Sequence, residues 1–142
     1  MQINLVQQAI TKTLRNFLRI IPMIVGVFLL LALFNTIIPQ HLYAKVFTNI
    51  PIVDALIGAI LGSVSAGNPL VSYIVGGELL DQGVGLAAVA AFILSWVTVG
   101  LIQLPAEAII LGRRFAIIRN LINFVSAIII ALLVVLTLNF IK

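Results

Sequence analysis

The chain has 142 residues, 63% of them hydrophobic and 8% charged, with a mean hydropathy of +1.29. A soluble domain carries about a quarter charged residues, so this composition excludes an ordinary soluble globule. It predicts an all-α integral membrane protein with room for about four elements of ~20 residues. With no cysteine, disulfides, thiolate metal sites and a cysteine nucleophile are excluded. The net charge of +4 does not point to nucleic acid. Lys12, Arg15 and Arg19 cluster around the start of the first apolar span, and Arg113, Arg114 and Arg119 around the start of the last. Those are the positions where positive charge orients a membrane protein and meets anionic lipid.

Residues 1–17 place Ile3, Val6, Ile10, Leu14 and Phe17 at three- and four-residue steps, with Gln7, Gln8, Thr11 and Lys12 elsewhere. The spacing predicts an amphipathic interfacial helix. A membrane domain, 18–142, follows. Its first span is 18–38, with Pro22 in the first turn. The run Asn35-Thr36-Ile37-Ile38-Pro39 lacks a small-residue cleavage pattern, which argues against a signal peptide. Between Pro39 and Pro51, Leu42, Tyr43, Val46, Phe47 and Ile50 predict a short interfacial helix, with His41 at the membrane surface rather than on a metal.

The next apolar run, 53–80, is interrupted at Ser63-Val64-Ser65-Ala66-Gly67-Asn68-Pro69. At 1.5 Å per residue its halves are ~21 Å and ~18 Å long, and neither crosses a ~30 Å core. Proline removes a donor and disfavours helix at Asn68, while Gly67 permits left-handed angles. One helix therefore ends there and a second starts at Pro69 with Asn68 as its N-cap. Facing half-helix ends can hold an ion or polar solute. Ser63, Ser65, Ser72 and Tyr73 are the hydroxyls at hand; in the bland alternative the serines bond to their own backbone at a packing kink. Gly58, Gly62 and Ala66 form a small-residue stripe that predicts close helix packing.

Two topologies fit 53–80: a kinked span, or a re-entrant hairpin with its tip at Gly67-Asn68-Pro69. The hairpin puts both arginine-bearing clusters and the amino terminus on the cytoplasmic side of an inner membrane, so the charge bias favours it. Glu78, Asp81, Gln82 and Gly83 form a solvated turn. A third element, 84–111, carries Ser95, Trp96, Thr98, Gly100, Gln103, Pro105 and Glu107. Glu107 is an acidic residue in an apolar run, which is a coupling or substrate hypothesis by default, unless it reaches the interface or pairs with Arg113 or Arg114. The last span is 116–138. No His-Glu-x-x-His, Gly-x-Ser-x-Gly or paired histidine recommends an enzyme.

The run Gly58-Ala-Ile-Leu-Gly-Ser-Val-Ser-Ala-Gly-Asn-Pro-Leu-Val-Ser-Tyr, followed by Gly83-Val-Gly-Leu-Ala-Ala-Val-Ala-Ala-Phe-Ile-Leu-Ser, resembles the predicted-permease family that includes organoarsenical efflux permeases. That family joins a small-residue helix to a Gly/Pro/Ser-rich break, a short helix, a glycine turn and an alanine-rich helix reaching Phe-x-x-x-Ser, here Phe92 and Ser95. The likeness spans roughly residues 25–135. Where the family often has cysteine near the break and proline after the serine, this chain has Asn68, Ser72 and Trp96, which speaks against thiolate chemistry. The resemblance implies one inverted-repeat-type half of a permease, completed by a homodimer or a sister half-permease, with no cofactor. A six-to-two basic asymmetry disfavours an antiparallel homodimer. The expectation is therefore three transmembrane helices plus a broken hairpin, moving a small polar or ionic solute. The candidate solute site is Ser63, Ser65, Gly67, Asn68, Pro69, Ser72, Tyr73, Ser95, Thr98 and Gln103, with Glu107 for coupling. A channel, or a non-transporting assembly or regulatory subunit, is the alternative.

Overall fold

The computed structural model describes residues 2–37, 46–65 and 67–141. All regular structure among them is helical. The chain divides into two compact units, Met1–Ile38 and Pro39–Lys142. The first contains a single helix, α1 (Gln2–Ile37). The interfacial segment and first span expected as 1–17 and 18–38 are thus one continuous helix. Pro22 lies inside it, where it leaves the carbonyl four residues earlier without its usual donor. Within α1, Gln7–Leu30 is long and apolar enough to cross a membrane.

The second unit holds α2 (Pro51–Val64), α3 (Pro69–Asp81), α4 (Leu86–Thr98), α5 (Leu104–Leu111) and α6 (Arg113–Ile141). Half of the interfacial helix expected over 39–52 falls on 39–45, outside the described residues; Val46 is helical, 47–50 is not, and the next helix begins at Pro51. Each of α2, α3 and α5 opens with proline at its first or second position, where the missing N–H has no helical partner to lose. The third element expected over 84–111 is interrupted within its length. It is two helices, α4 and α5, separated by Val99–Gln103, because Gly100 and Pro105 together weaken the helix at that point.

Helix α4 is the centre of the unit, packed against α2, α3 and α6. Helices α2 and α4 run parallel: Gly58 abuts the backbone of Ala88, and Gly62 that of Phe92 and Trp96. No side chain separates the two helices at these points, so the small-residue stripe acts as the sequence spacing requires. Ala66, the third member of the stripe, is outside the described residues.

Helix α3 turns back along α4, with Gly76 against Val89 and Ile93. The chain returns to its starting level, since Gly85 lies beside the Asp54 carboxylate. Residues 51–85 therefore make an out-and-back excursion whose far point is the Gly67 break.

Helix α6 is the second helix long and apolar enough to cross a membrane. It runs antiparallel to α4, with Asn123 opposite Thr98 and Ala131 packed in a cluster with Ala55, Ala59, Ala87 and Ala91. Its inner face is Ala116, Asn120, Ala127 and Ala131, all buried. The outer faces carry large apolar side chains, among them Leu121, Ile122, Ile129 and Leu133.

Candidate functional site

The two helix interruptions meet. Ser65, Gly67 and Pro69 from the first break, Trp96, Val97, Thr98, Gly100, Ile102 and Gln103 from the second, and Arg119 of α6 line one cleft of about 130 Å³. The wall of the first break is shaped by local bonds. The Ser65 hydroxyl donates to the Leu61 carbonyl at 2.7 Å. Asn68 caps α3, its Oδ1 accepting from the Leu70 amide at 3.0 Å. Gly67 sits at φ +156° with the edge of the Trp96 indole close by; a Cβ there would be 3.3 Å from Trp96 Cζ2. That backbone region is almost confined to glycine.

The second break is held from outside. The Gly100 amide donates to Asn120 Oδ1 at 2.9 Å, and Asn123 Nδ2 donates to the Thr98 carbonyl at 2.9 Å. Two backbone groups freed by the interruption thus find partners on α6, as buried polar groups must. The turn closes through the Leu104 amide, which donates to the Gly100 carbonyl at 2.8 Å. Asn120 also donates to the Ala116 carbonyl at 2.9 Å and to Glu107 Oε2 at 3.3 Å.

Glu107 does not pair with Arg113 or Arg114. The chain reverses at Gly112, φ +91°, so α5 folds back along the first turns of α6 and Glu107 meets Arg119. Arg113 lines a separate apolar groove with Leu104, Pro105, Ala108, Ile109 and Ile117. The Glu107 side chain is 17% exposed and that of Arg119 40%, so the guanidinium rather than the carboxylate faces the cleft.

Of the candidate site residues, Ser65, Gly67, Pro69, Thr98 and Gln103 come together around the cleft, beside Trp96 and Gly100, and Glu107 reaches it through Arg119. The others do not line it. The Ser63 hydroxyl donates to the Ile60 carbonyl at 2.8 Å and that of Ser72 to the Pro69 carbonyl at 2.7 Å; both are local backbone bonds of the kind a kink uses. Asn68 is occupied as a cap, and Tyr73 is exposed. Ser95 is fully buried, its Oγ without a hydrogen-bond partner. The Thr98 hydroxyl donates to the Leu94 carbonyl at 2.7 Å.

Four residues went unread in the sequence. Asn120 and Asn123 lie one turn apart in the last apolar run, on the face that carries Ala116, Ala127 and Ala131. That spacing was the available signal. Arg119 was assigned to membrane orientation and lipid contact. Asp54, 2% exposed, accepts from the Thr48 amide at 2.7 Å and from the Thr48 hydroxyl at 3.1 Å, fixing the entry to α2 at the end far from the cleft. Among the described residues, no three His, Cys, Asp or Glu side chains converge to hold a metal.

No protein-family model, curated protein or solved structure matches the chain.

Proposed function

We propose that this chain is a subunit of a membrane permease, moving a small polar or ionic solute by alternating access through the cleft between its two helix breaks. The observation that carries this reading is the meeting of two interrupted helices at one polar cleft within an otherwise apolar helical unit. In hydrocarbon, interrupted backbone survives only where protein covers it or a cavity solvates it. Discontinuous helices crossing near a solute are a recurrent transporter device. Helices α2, α3 and α4 have 14, 13 and 13 residues; at 1.5 Å per residue each is ~20 Å long, short of a ~30 Å core.

In this reading α2 and α3 form a re-entrant hairpin that enters and leaves on one side. Helices α4 and α5 together make one crossing, and α1 and α6 make two more, in an inner membrane. The three arginines of α6 then face the cytoplasm with the amino terminus. The likeness to the permease family points the same way. Its two-repeat plan supports a second copy or a sister half completing the site. Glu107, the acidic group behind the cleft, is the coupling residue, taking and releasing a proton as Arg119 changes partner.

The chain's lack of cysteine makes the test direct. Ser65→Cys, Thr98→Cys and Gln103→Cys variants in oriented vesicles are exposed to a membrane-impermeant thiol reagent from each side. Alternating access expects labelling from both sides, with Ile129→Cys, on the outer face of α6, left unmodified. Protection of all three cleft positions from both sides refutes the solute pathway and leaves a packing kink. For coupling, Glu107→Gln should abolish pH-driven uptake while cleft labelling persists; unchanged uptake removes that role.

A further inference from the structure

The cleft has a charge of definite sign. Among the described lining residues, Arg119 is the one with a charged side chain, and its guanidinium is more exposed than its partner carboxylate. Among described residues, the end of the second unit that holds the breaks carries Arg113, Arg114 and Arg119 against Glu107. The opposite end carries Asp54, Glu78 and Asp81. A concave site with low-dielectric walls concentrates such a field and raises the local concentration of the opposite ion. A cation entering here would meet the guanidinium before it met Glu107.

The donor inventory agrees with the field. A guanidinium offers five N–H donors in a planar fork, and the contact to Glu107 is made through Nη1, which leaves Nε and Nη2 for a second acceptor. Gln103 adds an exposed amide beside it. The Ser65 and Thr98 hydroxyl protons are engaged with carbonyls of their own helices, and the Trp96 Nε1–H, though unpaired, is buried, so the exposed side-chain donors come from Arg119 and Gln103. A planar fork with two adjacent free N–H groups matches a carboxylate or phosphate-type oxyanion, not a point charge.

Size narrows the class further. About 130 Å³, at ~30 Å³ per water, is the room of roughly four waters.

We propose that the cleft binds a small oxyanion, of acetate or inorganic phosphate size, held by the free edge of Arg119 and by Gln103, with Glu107 as the internal anion that shares the guanidinium. This rests on the reading of the cleft as a solute site. Glu107 then acts as a competitor: while it holds Nη1, the fork is partly spent.

Trp96 is the single tryptophan and lines the cleft, so its emission reports occupancy without a label. The full chain in nanodiscs is titrated with potassium acetate and with potassium phosphate against potassium chloride at constant ionic strength, and with tetramethylammonium chloride as the cationic control. The expected result is a saturable change with either oxyanion and none with the cation. Losing one charge-assisted contact corresponds to about tenfold or more in affinity. Arg119→Lys, which loses the fork, should weaken binding by at least that factor.

Glu107→Gln, which relinquishes Nη1, should tighten binding by about tenfold, and it guards against the case in which Arg119→Lys fails to fold. A saturable response to tetramethylammonium alone overturns the oxyanion assignment. So does oxyanion affinity unchanged in Glu107→Gln. Saturable oxyanion binding without cysteine labelling from both sides supports the site and refutes transport, so the two readings fail separately.

Discussion

Replacing Gly58 by alanine tests the packing that brings the two breaks together. A Cβ at Gly58 would lie 2.8 Å from the carbonyl carbon of Ala88 and 3.0 Å from its Cα, and closer still to the carbonyl oxygen. Ordinary contact begins at 3.4 Å, so α2 and α4 must part by at least about 3.4 − 2.8, or ~0.6 Å. The atoms in the way are backbone, which cannot rotate aside. Overpacking of this kind costs about 1–3 kcal/mol, and the absence of any flexible neighbour puts Gly58→Ala at the upper end. Alanine returns ~1 kcal/mol of helix propensity, which leaves a net loss of about 2 kcal/mol.

Gly77→Ala is the internal control. It lies in α3, a Cβ there meets nothing within 4 Å, and it should gain up to ~1 kcal/mol from propensity alone. The two substitutions are chemically identical and of opposite expected sign. Reversible unfolding in mixed micelles, followed by far-ultraviolet circular dichroism, measures both. Adding Gly62→Ala to Gly58→Ala should cost less than the sum of the single changes, because helices already parted at one contact relieve the next. A Gly58→Ala chain as stable as the parent would refute the close approach of α2 to α4, and with it the placement of the first break against Trp96.

Asn120→Ala should destabilise the chain by ~2 kcal/mol, because it strands the Gly100 amide inside the protein; hydrogen exchange at that amide should accelerate more than exchange in α2. Asp54→Ala should cost a similar ~2 kcal/mol through loss of two hydrogen bonds to a buried carboxylate, whereas Asp54→Asn, which keeps an acceptor for the Thr48 amide, should cost less than half as much in the same unfolding assay.

The first break was legible because its signal is covalent. Glycine and proline set backbone angles whatever surrounds them, so Asn68 as N-cap and Pro69 as the start of a helix follow from the local sequence. The small-residue stripe was legible for a related reason: Gly58 and Gly62 announce close approach even though they do not name the partner helix. The second break was half hidden. Pro105 marked a freed carbonyl, but Val99–Gln103 is opened by Asn120 and Asn123, which lie 20 and 25 residues further along and supply the replacement hydrogen bonds. A single-helix pattern contains no record of such long-range partners. The pairing of Glu107 with Arg119 was misplaced for the same reason. Distance along the chain suggested Arg113 or Arg114, whereas the reversal at Gly112 sets distance in space.

The two breaks are held by different means, and that difference bears on how a cleft between them could change shape. Around the first, the hydroxyl and amide bonds of Ser63, Ser65, Asn68 and Ser72 all end within four residues; toward α4 the described contact of the tip is Gly67 against the Trp96 indole. Among the described residues, no hydrogen bond ties this tip to α4, α5 or α6. Around the second, Gly100 and Thr98 are bonded to α6, and Asn120 joins Gly100, Ala116 and Glu107 in one connected set. Moving this break means moving the first turns of α6 with it, or leaving buried donors unpaired at a cost of ~1–3 kcal/mol each. The cleft therefore has one wall held by packing alone and one wall hydrogen-bonded to α6, and the group set in the second is Arg119. In the permease proposed above, a solute bound there would stay on α6 while the Gly67 tip moved over it.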